Sequence, residues 1–279
     1  MTQVEQLLAW FAPWRGVAVA FSGGVDSAVV AAAAHRALGH RAVAITADSP
    51  SVPRREINGA REFAVAVGLR HIVVGTDEFS NPSYTRNSGD RCYHCKSTLY
   101  DRISELLPSL DVDLICSGAN LDDLGDYRPG LTAAAERGIR HPLQECGFTK
   151  ADVRSLARTW GLAVAEKPAS PCLASRLAPG VAVTPERTRR VELAEEFLRS
   201  LGFTDCRVRY HDGDLARVEV PAAELDFALS VDCRDAIREK LRELGFRFAT
   251  IDLDGFRSGS LNALLTLEMR GRFQSKNLC

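Results

Sequence analysis

Ser22-Gly23-Gly24-Val25-Asp26-Ser27 stands directly behind the apolar run Val17-Ala18-Val19-Ala20-Phe21. A run of that kind reads as a buried parallel strand. The Ala/Val-rich stretch from Ala28 to Leu38 reads as the helix that follows. A glycine-rich turn between strand and helix exposes backbone N–H groups at the positive end of the helix, which makes a phosphate cradle. Gly23 and Gly24 allow the backbone to approach the phosphate, and Ser22 and Ser27 add hydroxyl donors. No Gly-Lys-Ser/Thr follows, so the turn is not a Walker A loop. The G-x-G-x-x-G spacing of the dinucleotide fingerprint is absent too.

Outward from the turn, the first half of the chain alternates. The pattern predicts strands at 17–21, 41–47, 70–74 and 113–117, and helices at 27–38, 54–67, 95–107 and 150–160. That alternation predicts the α/β class, a parallel sheet with helices on both faces. Ligands in such sheets bind beyond the carboxyl ends of the strands. The glycine turn, Ala47-Asp48-Ser49-Pro50 and Ser117-Gly118-Ala119-Asn120 all fall at such ends, so Asp48 and Asn120 join the turn as candidate nucleotide contacts. Glu166-Lys167-Pro168-Ala169-Ser170-Pro171 then breaks the pattern, because two prolines in four residues continue neither a helix nor a central strand. Beyond it come a helix from Thr184 to Leu201, strands at 205–210 and 215–220, helices near 222–229 and 233–244, and a strand at 248–252. The expectation is a domain over 1–165 and a smaller α+β domain over 166–279, with no internal repeat.

Composition bounds the reading. Of 279 residues, 46% are apolar, enough for a full core, and the net charge of −1 gives no basic footprint for nucleic acid. No apolar run reaches membrane-spanning length, and no signal-type segment opens the chain, so a cytoplasmic protein is expected. There are eight cysteines. In that compartment a disulfide framework is a poor expectation, and most of them read as packing residues, Cys116 in a strand among them. Cys92, Cys95 and Cys172 do not. Cys172 stands in the loop Ser170-Pro171-Cys172-Leu173-Ala174-Ser175-Arg176, with Lys167 and Arg176 near it in sequence. Nearby cations favour a thiolate.

The turn resembles the PP-loop, SGGxDS, of the N-type ATP pyrophosphatases. Taken with Gly118-Ala119-Asn120-Leu121-Asp122-Asp123 and Ser170-Pro171-Cys172-Leu173-Ala174-Ser175-Arg176, it is similar to the LarE family of ATP-dependent sacrificial sulfur transferases along nearly the whole chain. The resemblance implies an adenine nucleotide alpha hydrolase-like fold and ATP cleaved between its α and β phosphates. It implies AMP passed to the carboxylates of pyridinium-3,5-biscarboxylic acid mononucleotide, on the way to a nickel-pincer nucleotide cofactor. Cys172 would attack the acyl-adenylate, and cleavage of its Cβ–S bond would leave a thiocarboxylate on the substrate and dehydroalanine in the protein. A homo-oligomer, in the form of a hexamer, is also implied.

Arg91-Cys92-Tyr93-His94-Cys95-Lys96 carries a single C-x-x-C, half of what a closed zinc site needs. It reads as a redox dithiol, half a zinc site, or two ligands of a [4Fe–4S] cluster completed by Cys172. Arg207 and Arg209 lie two apart on a predicted strand, hence on one face, as a fork suited to phosphate. The resemblance assigns them, with Arg257 and Arg176, to the substrate. Asp122 and Asp123, with Asp126 beyond, are candidates for Mg²⁺, and Asp26 is a further one. Asp48 would meet the ribose or adenine. Rival readings are a tRNA thiolase, an amide-forming PP-loop ligase akin to NAD synthetase, and an ATP-binding sensor without chemistry.

Overall fold

All four residues of β1 (Val17–Ala20) are buried, as a strand covered on both faces requires. Their alternation sorts them: Val17 and Val19 enter one apolar layer, Ala18 and Ala20 the other. The computed structural model describes residues 1–125, 128–257 and 259–264. Asp126, Ser258 and Cys279 lie outside the described residues, as does the end of the expected second domain.

Before β1 comes α1 (Gln3–Phe11), opened by a capping box between Thr2 and Glu5. After it follow α2 (Val25–Leu38), β2 (Ala42–Asp48), α3 (Arg54–Val67) and β3 (Arg70–Gly75). The chain continues through α4 (Pro82–Thr85), α5 (Arg91–Leu110), β4 (Leu114–Ser117), α6 (Pro129–Glu136), α7 (Pro142–Glu145) and α8 (Lys150–Thr159). The four strands are parallel in the order β3-β2-β1-β4. The chain therefore leaves β1 toward β2 and returns to β4 on β1's other side, and a ligand crevice opens where the order reverses. One layer over the sheet takes α1, α2 and α8 through Leu7, Phe11, Val29 and Leu156. The opposite layer takes α5 through Leu99, Tyr100 and Ile103. Helix α5 begins at Arg91, four residues before the expected start, so both cysteines of the C-x-x-C lie on its first turn.

The chain folds as two compact units. Among the described residues the first comprises Met1–Glu78 and Cys92–Ser170; the second takes Phe79–Arg91 and the chain over 171–264. Sequence reading drew one boundary near 165 and assigned 79–91 to the first domain. That excursion belongs to the second unit because the Asn87 side chain donates to the carbonyls of Leu177 (3.4 Å), Ala178 (2.8 Å) and Val181 (3.1 Å). The Val183 N–H also donates to Thr85 O at 2.7 Å. The second unit holds α9 (Pro185–Ser200), β5 (Arg207–His211), β6 (Leu215–Glu219), α10 (Leu225–Leu229), α11 (Val231–Glu243) and β7 (Phe248–Ile251). Its sheet runs β5-β6-β7, antiparallel then parallel. Among the described residues no helix is long and apolar enough to cross a membrane.

Glu145 ties α7 to α1: it accepts from Trp10 Nε1 (2.8 Å), Arg140 Nε (2.8 Å) and the His141 N–H (3.2 Å). The Arg140 hydrogen bonds lead in holding its carboxyl down, from 4.5 to about 2. A depressed carboxyl stabilises the fold above its unfolded value and loses that contribution as pH falls through the folded one. Because the group is largely exposed, screening keeps its worth to about 1 kcal/mol. Glu145→Gln should therefore cost about 1 kcal/mol in urea unfolding at neutral pH, and the difference should close as pH falls from 4.5 toward about 2.

Candidate active site

The cradle forms because α2 starts without a side-chain cap. Gly24 is its N-cap residue and accepts no capping bond, so the first N–H groups of the helix stay available to an anion. Gly23 has φ +72°, a left-handed conformation that a residue with a Cβ adopts only under strain. Ser27 Oγ accepts from the Ser22 N–H (3.2 Å), donates to Gly24 O (3.0 Å), and lies 3.2 Å from Ser22 Oγ. The two hydroxyls thus brace the turn as well as line it.

Asp26 points across the crevice. Its Oδ1 accepts from Asn120 Nδ2 at 3.0 Å, and its Oδ2 is ion-paired with Lys150 Nζ. Lys150 was missed in the sequence. A signal for it existed: Thr149 and Asp152 form a capping box, which puts Lys150 at the first position of α8. A cation there opposes the helix dipole, so such a lysine answers to a partner elsewhere. Gly118 was also missed as a site residue. A Cβ on it would stand 2.6 Å from Ser27 N and 2.8 Å from the Asp26 carbonyl carbon. The exit of β4 therefore lies against the backbone of the cradle itself.

Asp122 and Asp123, the candidates for Mg²⁺, make contacts within the loop that follows β4. Asp122 Oδ2 accepts the Lys150 N–H at 2.8 Å; Asp123 Oδ2 accepts the Asn120 N–H at 3.0 Å, and its Oδ1 pairs with Arg128 at 2.9 Å. Both brace the loop, and among the described residues no group of three or more His, Cys, Asp or Glu side chains is placed to hold a metal ion. Asp48, at the end of β2, is paired with Arg54 at 2.5 Å, and Arg54 also holds the Ser49 and Val52 carbonyls.

In the second unit Cys172 is half-buried and caps a short 3₁₀ turn, Leu173–Arg176. Its carbonyl accepts from the Ser175 N–H (3.0 Å), Ser175 Oγ (2.7 Å) and Arg176 Nη1 (3.1 Å). Arg176 is 0% exposed. Its guanidinium is spent on Glu195 (2.9 Å), on the Pro171 and Cys172 carbonyls and on Ser175 Oγ. Arg176, expected at the substrate, has these groups as its partners and so fixes the loop. Burial pushes the Glu195 carboxyl up, but Arg176 and Arg199 outweigh it and hold it below the usual range. Lys167, close to Cys172 in sequence, belongs to the first unit and is bound within it to Gly23 and Glu56.

Arg207 and Arg209 do share a face of β5, but they are 5% and 6% exposed. Arg207 pairs with Asp205 (2.7 Å) and lies over the Phe256 ring; Arg209 pairs with Glu219 (2.7 Å), itself fully buried. Arg257 alone of the four expected arginines is exposed, in a surface pair with Asp254. Cys92 is exposed and Cys95 half-buried, three apart on the first turn of α5. Cys116 is buried in β4, where burial pushes its thiol up, in keeping with a packing role.

The family described as asparagine synthase matches residues 15–88, the stretch that carries the cradle. Over 267 residues the chain is 38% identical to the pyridinium-3,5-bisthiocarboxylic acid mononucleotide synthase of Lactiplantibacillus plantarum, covering 95% of each. It is 42% identical over 266 residues to an uncharacterized protein, slr1717, of Synechocystis sp., covering 95% of this chain and 98% of that one. A tRNA-specific 2-thiouridylase, MnmA, of a Wolbachia pipientis strain is 28% identical over 60% of this chain and 55% of its own.

Overpacking a backbone contact costs about 1–3 kcal/mol or moves the backbone. Gly118→Ala should therefore lower stability in urea unfolding by about that much and weaken ATP binding at least tenfold by calorimetry. Unchanged binding would mean that the cradle tolerates the displacement.

Proposed function

We propose, from the fact that this chain belongs to the LarE family of PP-loop, ATP-dependent sulfur transferases, that it converts the carboxylates of pyridinium-3,5-biscarboxylic acid mononucleotide to thiocarboxylates. The observation that carries the reading is the uncapped Gly23–Ser27 turn with Lys150 and Asp26 beside it, a cradle for the triphosphate of ATP. The N–H groups of the turn, with Ser22 and Ser27, hold phosphate. Lys150 neutralises charge as pyrophosphate leaves, and Asn120 and Asp48 stand on the rim for the rest of the nucleotide. Mg²⁺ would enter with the nucleotide as its substrate complex, and Asp122 and Asp123, which also brace the loop, are the carboxylates proposed to meet it. Of the expected arginines, Arg257 can meet the substrate phosphate without breaking a buried pair, whereas Arg207 and Arg209 would have to give one up.

The chemistry follows from the leaving group. A carboxylate is a poor acyl donor, and transfer of AMP to it makes a mixed anhydride. The Cys172 thiolate attacks the acyl carbon and expels AMP, which gives a thioester. Loss of the Cys172 Cα proton to a base, with cleavage of Cβ–S, releases the thiocarboxylate and leaves dehydroalanine. In a second reading Cys92, Cys95 and Cys172 hold a [4Fe–4S] cluster, which would supply a bound sulfide and spare Cys172; the two cysteines placed three apart on one helical turn favour it. The thiouridylase reading is weaker, because those relatives cover 60% of the chain and the net charge of −1 offers little to RNA. A cytoplasmic homo-oligomer is part of the same proposal.

With ATP, Mg²⁺ and the carboxylated mononucleotide, the protein should release AMP and pyrophosphate; ADP and phosphate as products would end this reading. Cys172→Ser should still bind ATP and transfer no sulfur. The intact mass of the natural chain should fall by one H₂S after turnover. A brown anaerobic preparation whose colour and repeated turnover are both lost in Cys92→Ala would select the cluster instead.

A further inference from the structure

Lys167 behaves unlike a surface lysine. Its Nζ donates to Gly23 O at 2.9 Å and pairs with Glu56 at 2.7 Å. Its side chain, 25% exposed, passes Gly59 of α3, where a Cβ would stand 3.9 Å from Nζ. Its main chain is held as firmly. Arg154 donates to the carbonyls of Ala165 (2.6 Å) and Lys167 (3.2 Å), and the Lys167 N–H donates to Val164 O at 3.1 Å. Three residues on, Ser170 accepts from Arg55 at 3.3 Å. The segment from Ala165 to Ser170 is thus strapped to the cradle, and Lys167 is the strap's contact with the glycine turn.

A trans peptide holds the C=O of one residue and the N–H of the next in one plane, pointing in opposite directions. Whatever holds the Gly23 carbonyl therefore also aims the Gly24 N–H. Left untied, the left-handed Gly23 peptide could rotate and turn its carbonyl, a negative dipole, toward the incoming phosphate. The ammonium draws that oxygen the other way. Glu56 keeps the ammonium in place: its side chain is 9% exposed, and Arg55 Nε lies 3.4 Å from its other oxygen.

We propose that Lys167 is a positioning residue of the phosphate cradle: by holding the Gly23 carbonyl it points the Gly24 N–H at the nucleotide, and it thereby couples nucleotide occupancy to the segment that leads into Cys172. The proposal rests on the reading of the cradle as an ATP site and adds to it a residue outside the SGGxDS turn. It also gives the lysine a task other than activating the thiol. Phosphate binding at the turn restrains the Gly23 peptide, the peptide restrains Lys167, and Lys167 restrains residues 165–170.

The test compares Glu56→Gln with Glu56→Gln/Lys167→Met and Glu56→Gln/Lys167→Gln, so that no buried carboxylate is left alone when the lysine goes. The probe is α,β-methylene-ATP, which cannot be cleaved at the α–β position. The methionine variant should bind it about tenfold more weakly than Glu56→Gln by calorimetry, the upper range for one lost hydrogen bond. The glutamine variant, which keeps an N–H donor, should recover most of that. In pyrophosphate release the methionine variant should raise the KM for ATP by a similar factor and leave kcat within about twofold. The probe should slow amide exchange across 165–170 in Glu56→Gln and not in the methionine variant. Equal binding by the Met, Gln and Lys forms, or a Gln form no better than the Met form, overturns the proposal. If the natural chain binds the probe yet never releases pyrophosphate from ATP, the functional reading falls, while the binding ratio still decides the role of Lys167. Should the double variants fail to fold, Lys167→Met against Lys167→Gln on the natural Glu56 makes the same comparison.

Discussion

The cradle depends on the absence of a side chain at Gly118. With Ser27 N only 2.6 Å from where a Cβ would stand, the exit of β4 can lie on the start of α2 only as bare backbone. That contact lies at the switch point of the sheet, because the β1–α2 turn and the exit of the neighbouring β4 border the crevice there. It also sets Asn120 two residues on, within reach of Asp26, and Asn120 O in turn accepts from Gln144. The same economy of atoms recurs along α2, where Ala31, Ala32, Ala33 and Ala34 are all essentially buried. A helix so poor in bulk can pack close to its neighbours, so its N-terminus is positioned by backbone proximity more than by interdigitating side chains.

What the sequence made legible was what local pattern determines. An apolar run, a glycine turn and an Ala/Val helix carry their own reading, and β1, the turn and α2 fall where that pattern puts them. The parallel class followed from alternation, and the start of α9 from Thr184 with Pro185. What the sequence left out was largely non-local. Residues 79–91 join the second unit through bonds to positions some ninety residues away, those of Asn87 and Thr85 among them, and no composition shift announces such bonds. Asp122 and Asp123 carry the residue type of metal ligands, but a carboxylate can also brace a loop with the same oxygens, and only the positions of Asn120, Arg128 and Lys150 show that these do.

The arginines teach the same lesson in energetic form. A spacing of two shows that Arg207 and Arg209 share a face; it cannot show that the face is closed. Once closed, each guanidinium must be paired, and Glu195 and Glu219 are the buried carboxylates that pair Arg176 and Arg209. Such pairs contribute modestly against an apolar alternative, yet breaking one leaves a charge without solvent, which costs about 3–5 kcal/mol. They therefore act as fixed posts. Glu195 shows what a post is for: it holds Arg176, and Arg176 holds the carbonyls of Pro171 and Cys172.

That arrangement bears on the proposed use of Cys172 as a reagent. Cys172 is secured through its backbone oxygen, by the Ser175 N–H, the Ser175 hydroxyl and Arg176, and among the described residues nothing hydrogen-bonds to its sulfur. The sulfur can leave without removing any bond that shapes the loop. Dehydroalanine keeps the carbonyl, so the three donors retain their acceptor after the chemistry is done. Cys116 and Cys206 differ on this point. Both are fully buried, and the Cys206 Sγ donates to Glu195 O, so taking sulfur from either would open a void in packed structure. A donor of sulfur should be anchored by the atoms it keeps and unburdened at the atom it gives up, and among Cys116, Cys172 and Cys206 only Cys172 meets both conditions.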